Sequence, residues 1–452
     1  MGIWCFTMTL RSLCWLGMVW LLVIPGPGFC ENIIDVFELA LENDPALKSA
    51  QALREATRET QSQSLAAFLP SLSVSGHWAN ISQTNNNFVE DPEQADSGLS
   101  ATTVFRDKNI SVKLTESIFN LPNFSKHKAA KEEVIKGELL YRLAQQALLF
   151  RVVSQYFNVL SSIDELDFAR AEKNAIVAQL EQTKQRYNLG LIAITEVHEA
   201  QARYDLGVAQ EVMSELALAN SREGLREITG ILHMNLLPLG NNMTLIPPTP
   251  TNISEWTDAA LSQNLNIAIV KMDMDITEIK ISEIKRERFP TLDLNLGYGL
   301  YDSGGVYPSS TRDVFISFDF AMPIYGGGLV SSKIKQTRQQ HESIKRQVEI
   351  LERAVLKNTR AAYLGVLAAM SYVKALNQAL GSSGKALQAI KAGFDVGART
   401  AVDVLNAQRD LFRAQRDLAR ARHDYVLNTL KLKAEIGLLT IDDLEQVNGW
   451  LQ

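Results

Sequence analysis

Two long stretches of this chain contain no proline. None occurs between Pro122 and Pro238, and none follows Pro323. Both stretches are rich in Ala, Leu, Gln, Glu, Lys and Arg, which are good helix formers. A helix from about residue 124 to about 187 would extend roughly 95 Å at ~1.5 Å per residue. Because that length exceeds any compact domain, the pattern predicts helices that run as coiled coils.

An internal repeat is the second constraint on the fold. The segment "RYNLGLIAITEVHEAQ" (186–201) matches "GFDVGARTAVDVLNAQ" (393–408), and Gly397 follows Gly190 by 207 residues. "LPSL" at 69–72 matches "FPTL" at 289–292 with a spacing of 220. The spacing decreases between the two matches, so the first half has the longer strand connection, at about 83–106. That polar segment is expected to be an exposed loop.

Each half therefore reads as helix, strand, strand, long helix, turn, helix. The predicted organisation is a signal peptide (1–30), a first repeat (31–237), a proline-rich linker (238–256) and a second repeat (257–452).

The first thirty residues differ from the rest of the chain. Arg11 precedes an apolar run from Leu13 to Ile24, and proline and glycine follow. This is the layout of a secretory signal peptide, cut before Glu31. A transmembrane anchor is the alternative, but the run is short for that role. Lipidation of Cys30 is a second alternative, which Phe29 disfavours. We expect an exported protein.

Composition excludes several function classes. The three cysteines (5, 14 and 30) all lie in the predicted signal peptide, so the mature chain has no disulfide framework and no thiolate chemistry. The chain carries 45 Lys and Arg against 51 Asp and Glu, without a basic run, which gives no reason to expect nucleic acid. No catalytic constellation, metal-ligand spacing or phosphate loop is present, so we expect no enzymatic activity, metal or cofactor.

Short segments with alternating polarity lie between the helical stretches. In 291–300 and 313–324, apolar side chains occupy every second position, and 70–82 and 107–118 show a weaker form of the pattern. Period-2 alternation predicts strands with one apolar and one polar face. A soluble sheet that packs on a helix and a lipid-facing barrel wall both fit this pattern.

The number of strands points to an oligomer if the sheet lies in a membrane. Four strands cannot close a membrane barrel, whose smallest form has about eight, and open strand edges are prohibitive in lipid. Three copies would supply twelve strands. We therefore expect a homotrimer in which each chain contributes an arc of barrel and a share of a helical tube.

With these features, the sequence resembles the TolC family of outer-membrane channel proteins across essentially the whole mature chain. "RYNLGLIAITEVHEAQARYDL" (186–206), "FDVGARTAVDVLNAQRDLFRAQRDLARARHDYVLNTLKLKAEIGLL" (394–439) and the repeated "P-[ST]-L" carry the resemblance. It implies a mainly α fold with a β-barrel part. Each chain would hold four strands and long coiled-coil helices, and a trimer would form a 12-strand outer-membrane barrel plus a periplasmic α-helical tunnel.

The resemblance also implies a function. Members of that family are passive exit ducts for tripartite efflux pumps or type I secretion systems. Their partners are outer-membrane lipid, a periplasmic adaptor (membrane fusion) protein and an inner-membrane pump. The cargo is open, since drugs, metal ions and secreted proteins all fit a duct.

The periplasmic gate is the part of the resemblance that can be assigned to residues. The matching positions are Glu196, Phe394, Arg399, Asp403 and Asn406. Arg399 and Glu196 keep opposite charges, which implies a charge-assisted lock. Phe394 lacks the hydroxyl of a family tyrosine. Asp403 matches an aspartate that lines the constriction, and Asn406 replaces a second one, which argues against strong cation selectivity.

The turns themselves are the implied contacts for the adaptor. They comprise Gly190 and Leu191 in the first half and Gly397 and Ala398 in the second. Each glycine is expected to close a helix as a left-handed cap, and Thr400 with Asp403 is expected to cap the next helix.

Two other function classes remain as alternatives. A periplasmic coiled-coil adaptor or scaffold without a channel explains the helices but not four amphipathic strands. An exported enzyme is disfavoured because no site converges.

Overall fold

The computed structural model describes residues 31–85, 101–240, 243–304 and 308–452. The signal peptide predicted at 1–30 and most of the loop predicted at 83–106 lie outside these residues. The elements in chain order are α1 (Ile33–Asn43), α2 (Pro45–Ala66), β1 (Ser71–Asn85), β2 (Ala101–Phe119), α3 (Leu121–Asn188), α4 (Ile194–Thr229), α5 (Ile253–Gln263), α6 (Leu265–Arg286), β3 (Thr291–Ser303), β4 (Ser309–Ala321), α7 (Leu329–Asp395), α8 (Ala401–Ile436) and α9 (Ile441–Asn448).

The element bounds follow the spacings of the internal repeat. Helices α5 and α6 begin and end 220 residues after α1 and α2, and α8 begins and ends 207 residues after α4. The caps repeat too. Asp44 ends α1 and caps α2 by accepting a bond from the Leu47 amide, and Asn264 ends α5 and caps α6 by accepting from the Ile267 amide. Both cap residues are nearly fully buried.

The linker is shorter than predicted. Helix α5 begins at Ile253, inside the segment 238–256, because the side chain of Asn252 accepts a bond from the Ser254 amide and so starts the helix. The Trp256 indole donates to the Pro250 carbonyl at 2.6 Å, which fixes this helix against the end of the linker.

The four strands form one antiparallel sheet in the order β1-β2-β3-β4. Strands β1 and β2 continue into the segment predicted as loop, where polar residues such as Gln83 and Thr103 pair across the ladder. The polar side chains of this segment predict a loop, but backbone pairing requires no apolar side chain. In a single chain, β1 and β4 are the two edges of the sheet.

One face of the sheet is apolar and exposed. Val314, Phe318 and Phe320 on β4 are 80%, 65% and 67% exposed. Their neighbours across the β3–β4 ladder are Tyr298, Leu294 and Leu292, which extend the same face. Such a face is unusual on a soluble monomer and indicates a membrane or a partner.

The long helices α3 and α7 contain 68 and 67 residues and start beside the sheet, directly after β2 and shortly after β4. Helix α3 packs along α4, and α7 packs along α8, as antiparallel pairs. At ~1.5 Å per residue each pair reaches about 100 Å from the sheet.

The main core lies midway along the long helices, where α1, α5, α9 and the linker pack on them. Tyr156 and Tyr425 are fully buried there, and their hydroxyls donate to the carbonyls of Leu237 and Ile246. This core anchors the linker to the helix pairs.

Among the described residues, no helix offers a stretch apolar and long enough to span a bilayer.

Candidate functional site

The two repeated turns lie together at the end of the helices farthest from the sheet. Gly190 and Gly397 have φ of 73° and 77°, the left-handed conformation expected of them. In each turn the glycine amide donates three residues back, to Tyr187 and Phe394, at 2.8 and 3.1 Å. A Cβ added at either glycine would meet nothing within 4 Å, so the backbone conformation, and not space, requires glycine.

The turns expose apolar side chains. Leu189, Leu191 and Val396 are 74%, 67% and 80% exposed. Ala398 is exposed too, and its amide donates to the Gly393 carbonyl at 2.8 Å, as the Leu191 amide does to that of Arg186 at 2.9 Å. The predicted adaptor-contact residues therefore form two matching tips at the end of the molecule.

The two helices that follow the turns begin differently. Thr400 and Asp403 form the predicted cap of α8: the Asp403 amide donates to Thr400 Oγ1 at 3.2 Å, and the Thr400 amide donates to Asp403 Oδ2 at 3.0 Å. Helix α4 begins at Ile194, and Ala193 at its N-cap provides no side-chain hydrogen bond. The backbone hydrogen bond from Thr400 lowers the pKa of the Asp403 carboxyl, so this carboxylate stays charged at neutral pH.

The two helix pairs form helical hairpins: α3, the turn at Gly190 and α4 are the first, and α7, the turn at Gly397 and α8 are the second. Phe394 is a core residue of the second hairpin. Its side chain is only 3% exposed and packs in a small cluster with Ala401 and Val404, beside Leu387 and Ile390. A phenylalanine therefore supplies apolar contact where the family tyrosine has a hydroxyl, and it holds the ends of α7 and α8 together.

Arg186 connects the two hairpins. Its guanidinium lies over the Phe394 ring at 3.9 Å from the centroid, and Nη1 donates to the Phe394 carbonyl at 3.3 Å. Nη2 is 3.9 Å from Asp395 Oδ1, an exposed and therefore weak ion pair. The end of α3 is thus joined to the end of α7.

The predicted lock residues Arg399 and Glu196 are not joined within the chain. Glu196 Oε2 is shielded from solvent and has no hydrogen-bond partner among the described residues. Arg399 is exposed, and its side-chain stem lies over Gly393, where a Cβ would come within 2.8 Å of Arg399 Cγ. Within one chain Arg399 and Glu196 do not pair with each other. The lock therefore stays a prediction, and it requires a second copy of the chain.

Asn406 makes a different cross-link. Arg203 of α4 donates from Nη2 to Asn406 Oδ1 at 3.3 Å. An aspartate at this position would give an ion pair in place of a neutral acceptor, so Asn406 both removes a charge and weakens this contact.

Sequence reasoning missed Arg186 and Arg203. Arg186 stands in the repeated motif but was given no role, because its repeat partner is Gly393 and the ring that it contacts lies 208 residues away. Arg203 lies just after the repeated segment 186–201. It donates to Asn406, a gate position for which the sequence suggests no partner. Among the described residues, no group of three metal-ligating side chains comes together.

The chain is similar to known outer-membrane proteins along most of its length. The family model described as "Outer membrane efflux protein" matches residues 36–231 and 256–438. The outer membrane protein TolC of Vibrio cholerae is 34% identical over 429 residues, which is 94% of each chain. TolC of Escherichia coli is 32% identical, over 93% of this chain and 85% of that protein. The alkaline protease secretion protein AprF of Pseudomonas aeruginosa is 26% identical, over 97% and 92% of the two chains.

Solved structures agree on the fold. The Campylobacter jejuni CmeC outer membrane channel superposes with a TM-score of 0.75, at 15% identity, over 93% of this chain and 90% of that one. CusC superposes with a TM-score of 0.76, at 15% identity, over 90% and 92% of the two chains. The mainly helical fold with a barrel part expected from the sequence is confirmed. The chain is an outer-membrane exit duct for efflux or secretion and belongs to the outer membrane efflux protein family.

Proposed function

We propose that this outer-membrane duct works as a passive homotrimeric channel whose periplasmic end is closed by its two turns. The observation that carries the proposal is the position of these turns: both lie at the end of the long helices, about 100 Å from the sheet, and they contact each other through Arg186 and Phe394. Three chains would bring six turns around one axis.

The unpaired charges support closure by neighbouring copies. Glu196 and Arg399 lie on different turns of one chain and do not pair there. A shielded carboxylate oxygen without a partner is unfavourable, and an arginine from a second copy would satisfy it. We assign Arg399 and Glu196 to an inter-chain lock. Asp403 and Asn406 lie next to it, on the first two turns of α8.

The exposed tips fit a periplasmic adaptor. Leu189, Leu191 and Val396 present an apolar surface, and the two glycines beside them leave the backbone accessible. Surfaces of this kind are typical of protein–protein contacts. We propose that an adaptor joins the duct there to an inner-membrane pump, which determines the cargo.

The test is conductance through purified trimers in planar bilayers. Wild type is expected to show a small conductance with rare openings, and Arg399→Ala is expected to open more often because the lock to Glu196 is lost. Arg409→Ala is the matched control, since Arg409 is an exposed arginine of α8 that pairs with Asp410 outside the turns. If Arg399→Ala and Arg409→Ala both match wild type in conductance and opening frequency, the gate assignment is wrong.

A further inference from the structure

We propose that Arg186 is a clamp that holds the two hairpins of each chain together when the duct is closed. The inference rests on the proposed gate and deepens it, because it separates a contact within the chain from the lock between chains. No motif suggests it, and the three contacts between Arg186 and the end of α7 carry it.

The geometry of the clamp uses both the face and the edge of one planar group. The face of the guanidinium covers the Phe394 ring at 3.9 Å, while its edge donates to the Phe394 carbonyl at 3.3 Å. Only 24% of the Arg186 side chain is exposed, and Phe394 is 3% exposed. A cation–π contact strengthens when it is shielded from water. Lysine could place a charge over the ring but could not hold this fork.

The clamp exists once per chain because the repeat is broken at this position. The repeat partner of Arg186 is Gly393, and the stem of Arg399 fills the space over Gly393. The two arginines therefore have different tasks. Arg186 is committed to its own chain, whereas the exposed guanidinium of Arg399 is available to a neighbouring one.

Opening of the periplasmic end requires the hairpins to separate, and separation breaks the clamp. Four variants test this. Arg186→Ala removes it, Arg186→Lys keeps the charge alone, and Phe394→Leu removes the ring but keeps an apolar side chain. Lys184→Ala is the matched control, because Lys184 lies on the same turn of α3 and, among the residues that the structure describes, forms its ion pair with Glu181 of its own helix.

The first measurement is the distance between the two tips. The chain has no cysteine after residue 30, so spin labels can be placed through Leu189→Cys and Val396→Cys. Pulsed electron paramagnetic resonance on trimers diluted with unlabelled chains then reports the distance within one chain. We expect one narrow distribution in the otherwise unchanged protein and in Lys184→Ala, and a broader distribution at longer distance in Arg186→Ala.

The second measurement is open probability in planar bilayers. Loss of a shielded cation–π contact and one charged hydrogen bond predicts a rise of about five- to thirty-fold in Arg186→Ala. Arg186→Lys should fall between Arg186→Ala and wild type. In a Phe394→Leu background, Arg186→Ala should add less than it does alone, since the cation–π contact is already absent and only the bonds to the Phe394 carbonyl position and Asp395 remain to be lost.

The outcomes separate this inference from the gate. If Arg186→Ala equals Lys184→Ala in distance and open probability while Arg399→Ala opens the channel, the clamp is refuted and the gate stands. If the wild-type protein conducts no ions, the proposed function fails, and the distance measurement alone supports or refutes the clamp.

Discussion

Truncation of Phe394 should loosen the second hairpin far more than its position at the tip of the molecule suggests. The ring is 3% exposed and packs with Ala401 and Val404, so Phe394→Ala removes the largest side chain of a small cluster. Phenylalanine-to-alanine changes in cores cost about 3–5 kcal/mol. The cluster lies at a helix end that can partly collapse, so we take the lower value. Loss of the Arg186 contact adds about 0.5–1 kcal/mol.

Hydrogen exchange followed by mass spectrometry measures this cost locally. A loss of about 3.5–4 kcal/mol in opening free energy should speed amide exchange in peptides that cover 385–410 by roughly 300- to 900-fold. Peptides from the core around Tyr156 should exchange at the wild-type rate, because that core is built from other side chains. Phe394→Leu keeps much of the apolar contact and should show roughly a tenfold effect. An increase below about threefold in Phe394→Ala would refute the argument that this ring holds the hairpin.

Two further predictions concern the middle of the molecule. Burial lowers the pKa of His423 to about 4, so its contribution to stability is present above its ordinary value of ~6.5 and is lost as pH falls towards 4. Burial raises the pKa of Asp164 to about 6. Protonation of this carboxyl therefore increases the stability of the folded state as pH falls below 6, opposite to the effect of His423. Asp164→Asn should therefore show a steeper fall in Tm between pH 6.5 and 4 by circular dichroism than wild type, and equal slopes would contradict this. The second prediction is that intact mass spectrometry finds a mature chain that begins at Glu31 without lipid. The Glu31 carbonyl accepts from Tyr156, about 50 Å along α3 from the sheet, too far for a lipid on Cys30 to reach the membrane; a diacylglycerol-modified Cys30 would contradict it.

Much of the fold follows from patterns that act locally. Helix propensity, the absence of proline and period-2 alternation predicted every long helix and the four strands, because each depends on neighbouring residues. The glycine turns were also predictable, since a left-handed backbone at Gly190 and Gly397 is required wherever the helices end. The strand ends were not, because hydrogen bonds of Gln83 and its neighbours to the partner strand outweigh their polarity.

The site was less predictable because its contacts join distant parts of the chain. The burial of Phe394 and the position of Arg186 over its ring depend on how two helix pairs pack, which no local pattern encodes. The resemblance directed attention to Arg399 and Glu196, which do not pair with each other within the chain. What sequence could identify was the turn, and what it could not identify was the contact between turns.

The central claim is that three copies close one barrel through β1 and β4, and the repeat predicts the register of that closure. Strand β4 corresponds to β2, and β1 corresponds to β3, so Phe320 takes the place of Leu114 and Gly76 that of Leu296. Since Leu114 pairs with Leu296 within the chain, Phe320 should pair with Gly76 of a second copy. Three residues along, Ser317 should then face Ala79 of that copy on the polar side of the sheet.

Disulfide cross-linking tests this register most directly. After the predicted cleavage before Glu31 the chain has no cysteine of its own, so Ser317→Cys combined with Ala79→Cys can react only at the designed position. The account predicts covalent trimers that a reducing agent converts back to monomers. Ser317→Cys with Ser73→Cys should give no covalent trimer, because Ser73 is shifted by about 20 Å along the strand. Monomers alone from the matched pair, in protein recovered from the outer membrane, would contradict closure by three copies.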